Sequence, residues 1–466
     1  MNHLLKAMSF WVWGLIAIGL SVSMVSVSYR LVGLYRAHES EAHADSGPAV
    51  GSRALTGLPN SKNKPTVALI DSQRIWSGKP MISRILAGDI RAAQQAMRDN
   101  QWSEAIKDLQ AASTKSPLTA YDLKTIEEWT GIAYVRLNNF KAAQTAYEAA
   151  LATGAYKTEE LAKVFRLLFQ LAAVNKQEVK AIEYGVRATA AGAAGENDLL
   201  IISQLYYQQK DCTNSGIWGD KAIAAFKDAG EPPKEVLYQL KLQCASNVND
   251  TSGIKAALYD LIRLTNKTSY WNNLLRLERQ DERDEHNTLM IYRVMFDTHS
   301  MNADTDYIEM AQLLGDAGLP GEAQAVLEKA MSSGVLKDEH KERTARLLNA
   351  LETRVDADMK GLPALDAEAS KNPAGQLDTK LGQLYFGAGD YEGAVTALSR
   401  GISKGHLSQP DEAYISLGRS LAAEKDAAGA KQAFARLKSL PNISPHVLKL
   451  WNLYADMLPE KVSEPL

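Results

Sequence analysis

Two sets of residues in this chain have types and spacing that could do chemistry. The first is a pair of thiols, Cys212 and Cys244, which are the only cysteines in 466 residues. Each falls in a helical stretch, and the two stretches are neighbours if consecutive helix pairs stack. A disulfide needs Cα atoms about 4.4–6.8 Å apart and an oxidising compartment. Two separate buried thiols, acting as small apolar fillers, fit the same sequence. The second set is a row of amides: Gln94, Gln170, Gln204, Gln243, Gln312 and Gln383. Each occupies the equivalent slot on the first helix of a helix pair. An amide both donates and accepts hydrogen bonds, so such a row suits the backbone of an extended peptide. Met97, Tyr207 and Phe386 lie about one turn away and would supply apolar contact. The same amides are equally able to bond neighbouring helices or water.

Other chemistry is not written here. No H-E-x-x-H, C-x-x-C, P-loop or G-x-S-x-G pattern occurs. His38, Glu39, Glu41 and His43 cluster, but in a polar stretch that reads as a solvated linker. His286, His340, His406 and His446 fall in polar turns or helix starts and are expected to be exposed. Glu127-Glu128 and Asp281-Glu282 read as solvated faces. No nucleophile stands at a defensible spacing from a base. The expectation is therefore a non-enzymatic protein with no catalytic residues, no metal and no cofactor. The formal net charge of -3 gives no drive toward nucleic acid.

The elements that must position these residues follow a short grammar: small, apolar four later, small three after that. It reads Ala105-Leu109-Ala112, Ala143-Tyr147-Ala150, Ala323-Leu327-Ala330, Ala394-Leu398-Gly401 and, with a larger last residue, Ala430-Phe434-Leu437. An apolar helix precedes each across a short polar turn. The leading slots Ala105, Ala143, Ala181, Ser215 and Ile254 stand 38, 38, 34 and 39 residues apart. Self-similarity at this period marks a helical solenoid. It predicts one run of repeats over 85–262, a degenerate helical pair over 263–303, and a second run over 304–458. Glu339 to Met359 reads as one long helix and Lys360 to Ala374 as a break. A last helix around Val447-Tyr454 caps the stack.

Residues Ala7 to Tyr29 contain no charge, about the length that crosses a hydrocarbon core of roughly 30 Å as a helix. Segment 1–36 is expected to be an uncleaved membrane anchor. A signal peptide cut after Ser26-Val27-Ser28 is the alternative. Segment 37–84, rich in Gly, Pro, Lys and Asn, reads as a linker.

The small slots at the helix crossings, with Gly131, Tyr134 and Phe140 between them, resemble the tetratricopeptide repeat. The fold expected is all-α, a right-handed helical-hairpin solenoid with an N-terminal transmembrane or signal helix. Tyr270-Trp271, Asp306 to Leu313 and Ala317 to Ala323 resemble a group of exported bacterial tetratricopeptide proteins. Members of that group are often encoded beside TonB, ExbB and ExbD components. The resemblance implies a protein-binding scaffold in the periplasm, held at the inner membrane by one span, with an envelope energy-transducing system as an associate. The alternatives are a cleaved, soluble periplasmic form, a cytoplasmic-facing form, and a structural accessory subunit of an envelope assembly, secretion or cytochrome-biogenesis complex.

Overall fold

A computed structural model describes residues 81–441 and 443–459. The segment 1–36 and the linker up to residue 80 lie outside the described residues. Described residues form α-helices, short 3₁₀ turns and connections, with no β-strand among them. They fall into two compact units that divide after Leu240, inside one helix.

In the first unit a 3₁₀ turn over Arg84–Leu86 leads into four antiparallel hairpins. They are α1 (Ala87–Arg98) with α2 (Trp102–Ser113), and α3 (Ala120–Arg136) with α4 (Phe140–Ala152). Next come α5 (Thr158–Val174) with α6 (Glu178–Ala190), and α7 (Glu196–Gln208) with α8 (Cys212–Asp228). The helix α9 (Glu235–Asn247) contains the division.

The grammar of small and large residues is a packing rule. Ala105, Leu109, Ala112, Ala143 and Ala150 are fully buried at the crossings. In α3 a Cβ placed on Gly131 would lie 2.7 Å from the Tyr147 ring of α4, closer than real contacts allow. The next hairpin inverts the arrangement. Phe169 of α5 takes the large role, and a Cβ on Gly185 of α6 would lie 2.9 Å from its ring. One side of each crossing must be small, but either helix can supply it, because close packing constrains the sum of the two volumes.

Two of the four turns between paired helices share a full device, and the turns at Gln101 and Gln177 lack its side-chain cap. A left-handed residue, Asn138 or Lys210, ends the first helix. The next residue donates its N–H five residues back, as Asn139 does to Tyr134 and Asp211 to Tyr206, at 2.9 and 3.0 Å. That same residue then caps the second helix: Asn139 accepts from Ala142 N–H and Asp211 from Asn214 N–H. Such a cap is worth about 1 kcal/mol.

The second unit contains α10 (Thr251–Thr265), α11 (Thr268–Asp281), α12 (Glu285–Asp297), α13 (Asp304–Asp316) and α14 (Pro320–Ser333). It continues with α15 (Asp338–Lys371), α16 (Gln376–Gly387), α17 (Tyr391–Lys404), α18 (Pro410–Ala423), α19 (Ala427–Ala435) and α20 (Pro445–Asp456). The turn device recurs at Gly389-Asp390 and Lys425-Asp426. Gly382 faces Leu398 and Gly418 faces Phe434 in the small-to-large manner of Gly131 and Tyr147.

Two expectations are corrected here. Residues 360–371 are not a break, because α15 runs unbroken through Pro363 for 34 residues. Proline removes one backbone bond, but the segment around it is held from outside. Leu362 and Leu365 pack with Leu381 and Leu384 of α16, and Asp366 pairs with Arg400 at 2.7 Å. Nor is α20 merely a cap. It packs on α10 and α12 as well as on α19, and Trp451 is fully buried against Phe434.

Candidate functional site

The six glutamines do not share one environment. Gln94 and Gln312 are exposed and Gln383 is half-buried. Gln170 is buried, and its Nε2 donates to Asp198 Oδ1 at 3.4 Å. Asp198 also binds Arg166 Nε at 2.7 Å and caps α7 through Gly195 N–H. Gln243 is buried and donates to Asn247 Oδ1 at 3.0 Å. Gln204 is 5 % exposed, and its Nε2 has no partner among the described residues. A buried donor without a partner costs about 1–3 kcal/mol. Tyr207 and Met97 are half-buried. Phe386 packs on Tyr391, with ring centres 5.6 Å apart, and under the Arg419 guanidinium at 4.6 Å.

Arg419 exposes what the glutamine pattern missed. It follows Gly418 as Gln383 follows Gly382, so it occupies the same slot in the last hairpin. Its side chain is 3 % exposed. Arg419 binds Asp297 of α12 through Nε and Nη2 at 2.8 and 2.9 Å, and binds Glu322 of α14 through Nη1. Arg293 of α12, 1 % exposed, donates to Glu322 at 3.2 and 3.0 Å and to Glu412 of α18 at 2.9 and 2.7 Å. Burial alone would raise the Glu322 carboxyl. The charges of Arg293 and Arg419 outweigh burial and hold it at about 2. One signal for this cluster was legible, namely a single charge inside the apolar run Leu289-Met290-Ile291-Tyr292-Arg293-Val294-Met295.

Three of the histidines expected to be exposed are paired and half-buried instead. His286 Nε2 meets Asp411 Oδ2 at 2.6 Å, His340 Nδ1 meets Asp304 Oδ2 at 2.7 Å, and His446 Nε2 meets Glu282 Oε2 at 3.1 Å. Their helix-start positions put them beside carboxylates of other helices, which sequence neighbours do not reveal. His406 is exposed. Glu282 is likewise not a solvated face. It is largely buried and accepts from the N–H groups of Arg283 and Asp284 and from Ser444 Oγ.

Cys212 opens α8 and Cys244 lies in α9, and neither is a free thiol. No group of metal-ligating side chains occurs among the described residues, and no helix among them is long and apolar enough to cross a membrane.

Several solved structures are similar in parts. The Naa15/Naa10 complex bound to HypK-THB is 14 % identical, over 78 % of this chain and 64 % of that one, with a TM-score of 0.35. This chain therefore spans just under two thirds of that relative. The C-terminal part of a repeat-containing protein from Cytophaga hutchinsonii is 13 % identical, over 56 % of this chain and 95 % of that one, at 0.29. The TPR2AB domain of yeast Sti1, in its pHSP90 complex, is 12 % identical, over 57 % and 98 %, at 0.30. Likenesses of this size carry no functional argument. No curated protein matches. Residues 379–442, which take in most of α16 and all of α17 to α19, match the family model described as tetratricopeptide repeat, and within each unit the described residues pack as all-helical hairpins.

Proposed function

We propose that this chain is a non-enzymatic scaffold that captures an extended segment of a protein partner through the glutamine slots of its first unit. The supporting observation is Gln204, a buried amide whose donor has no partner among the described residues. A free protein that keeps such a donor forgoes stability, and a peptide carbonyl would satisfy it. Were the groove preformed, the ordering cost of binding would fall on the partner's own segment. The proposal extends to a tether at 1–36, with the repeats in the periplasm. By resemblance, it extends to a partner within a TonB-type assembly. The local concentration of the groove at the membrane would then be raised by the tether.

The test replaces Gln204 with leucine, which keeps the volume and removes the orphan donor. The variant should gain about 1 kcal/mol or more in stability and lose capture of the partner cross-linked in cells. Equal capture by Gln204→Leu and the parent would sink the groove assignment. Alkaline phosphatase fused after Leu466 should be active, and an inactive fusion would reverse the assigned side.

A further inference from the structure

Repeats in a solenoid pack on their neighbours, so stacking does not require the first and last helices of a run to touch. In the second unit α10 and α12, near its start, touch α18 and α20, near its end. Arg293 of α12 reaches Glu412 of α18, and Arg419 of α18 reaches Asp297 of α12. His286 at the start of α12 meets Asp411 at 2.6 Å and Glu412 at 3.5 Å. Ser444, ahead of α20, donates its N–H to Asn287 at 3.1 Å and its hydroxyl to Glu282 at 3.0 Å. Lys449 of α20 lies over the Tyr259 ring of α10 at 3.8 Å. Charged pairs bridge this seam from α12 to α18.

At the seam the carboxylates outnumber the fixed positive charges by two, and a protonated histidine reduces that excess to one. The carboxylates Asp297, Glu322, Asp411 and Glu412 face two guanidiniums, Arg293 and Arg419. His286 supplies a third positive charge when protonated. The groups facing it are Asp411 and Glu412 from α18, and Arg293 from its own helix. In the first turn of α20, His446 lies 3.1 Å from Glu282. We propose that the second unit is a proton-gated clasp, closed while protonated His286 bridges to Asp411 and Glu412, and loosened by loss of that proton so that Arg293 and Arg419 become accessible.

The direction is set by linkage. The hydrogen bond to Asp411 raises the His286 pKa above its ordinary value of 6.5. The bridge therefore contributes fully below that value and is lost as pH rises through the folded one. The test is hydrogen exchange on the full chain from mildly acid to alkaline pH, corrected for intrinsic rates, with α3 and α4 as internal controls. Protection of α12, α18 and α20 should fall with rising pH by on the order of tenfold, the weight of one charge-assisted hydrogen bond. His286→Lys, which keeps its charge, should hold protection flat, and His286→Gln should lower it at every pH. Should His286→Gln fail to fold, Asp411→Asn should lower protection and remove its pH dependence. Flat protection in the parent, or the same fall in His286→Lys, would overturn the clasp.

Discussion

Replacing Arg293 with methionine should destabilise the second unit more than any surface change. The side chain is 1 % exposed and donates four hydrogen bonds to two carboxylates. After the change, Glu322 keeps Arg419, and Glu412 keeps only His286 Nδ1, 3.5 Å away. One carboxylate is thus stranded rather than two, so the cost is that of breaking a single buried pair, about 3–5 kcal/mol. Native-state hydrogen exchange should show protection in α12, α14 and α18 falling by about two to four orders of magnitude. Helices α3 and α4 serve as the reference. Adding Glu412→Gln should recover part of the loss, because it removes the stranded charge. A loss below about 1 kcal/mol, the range of exposed pairs, would show that water reaches the cluster and that the buried-charge reasoning is wrong.

Pro363→Ala should stabilise α15 by up to about 3 kcal/mol, the interior penalty of proline. A lower melting temperature would instead show that the packing of Leu362 and Leu365 needs the bend. Gly131→Ala should cost about 1–3 kcal/mol through overpacking against Tyr147. Gly315→Ala, with nothing within 4 Å of the added methyl, should gain about 0.5–1 kcal/mol; urea midpoints compare the two. Acid should open the second unit. The Glu322 contribution is present above the ordinary carboxyl value of 4.5 and lost as pH falls toward about 2, which near-ultraviolet dichroism in acid titration would follow. Thiol labelling of denatured, unreduced protein from an oxidising compartment should find both cysteines blocked, and peptide mapping should join Cys212 to Cys244. Full labelling would refute the pairing.

The hairpins were legible because their causes are local. A left-handed Asn138 followed by a capping Asn139, or Lys210 followed by Asp211, ends one helix and starts the next within a few residues. The small slots were legible for a similar reason: Ala143 and Tyr147 lie on one helix face and meet the partner helix a few residues upstream. The continuity of α15 was not legible. Pro363 is a local signal for a stop, and what overrides it comes from Leu381, Leu384 and Arg400 on helices that follow. The inversion of Phe169 and Gly185 was hidden too, since either residue alone looks misplaced and only the pair satisfies the crossing.

The site was less legible than the fold, and the slot after the helix crossing shows why. Period and hairpin geometry determine where a side chain points relative to its own repeat. They do not determine what arrives to meet it. In one slot Asp198 of the next hairpin occupies Gln170, in another no described residue bonds the Gln204 Nε2, and in a third two carboxylates from α12 and α14 bury Arg419. These partners lie from 28 to 122 residues away in sequence. The same distinction separates the two functional proposals. Arg419 is already satisfied, so its hairpin has nothing to offer a ligand until the clasp opens. Gln204 Nε2 has no partner among the described residues, so the capture proposed for the first unit carries no dependence on the His286 proton. Partner capture that follows Gln204 and ignores His286 would assign recognition to the first unit. Capture that follows His286 would assign it to the opened second unit.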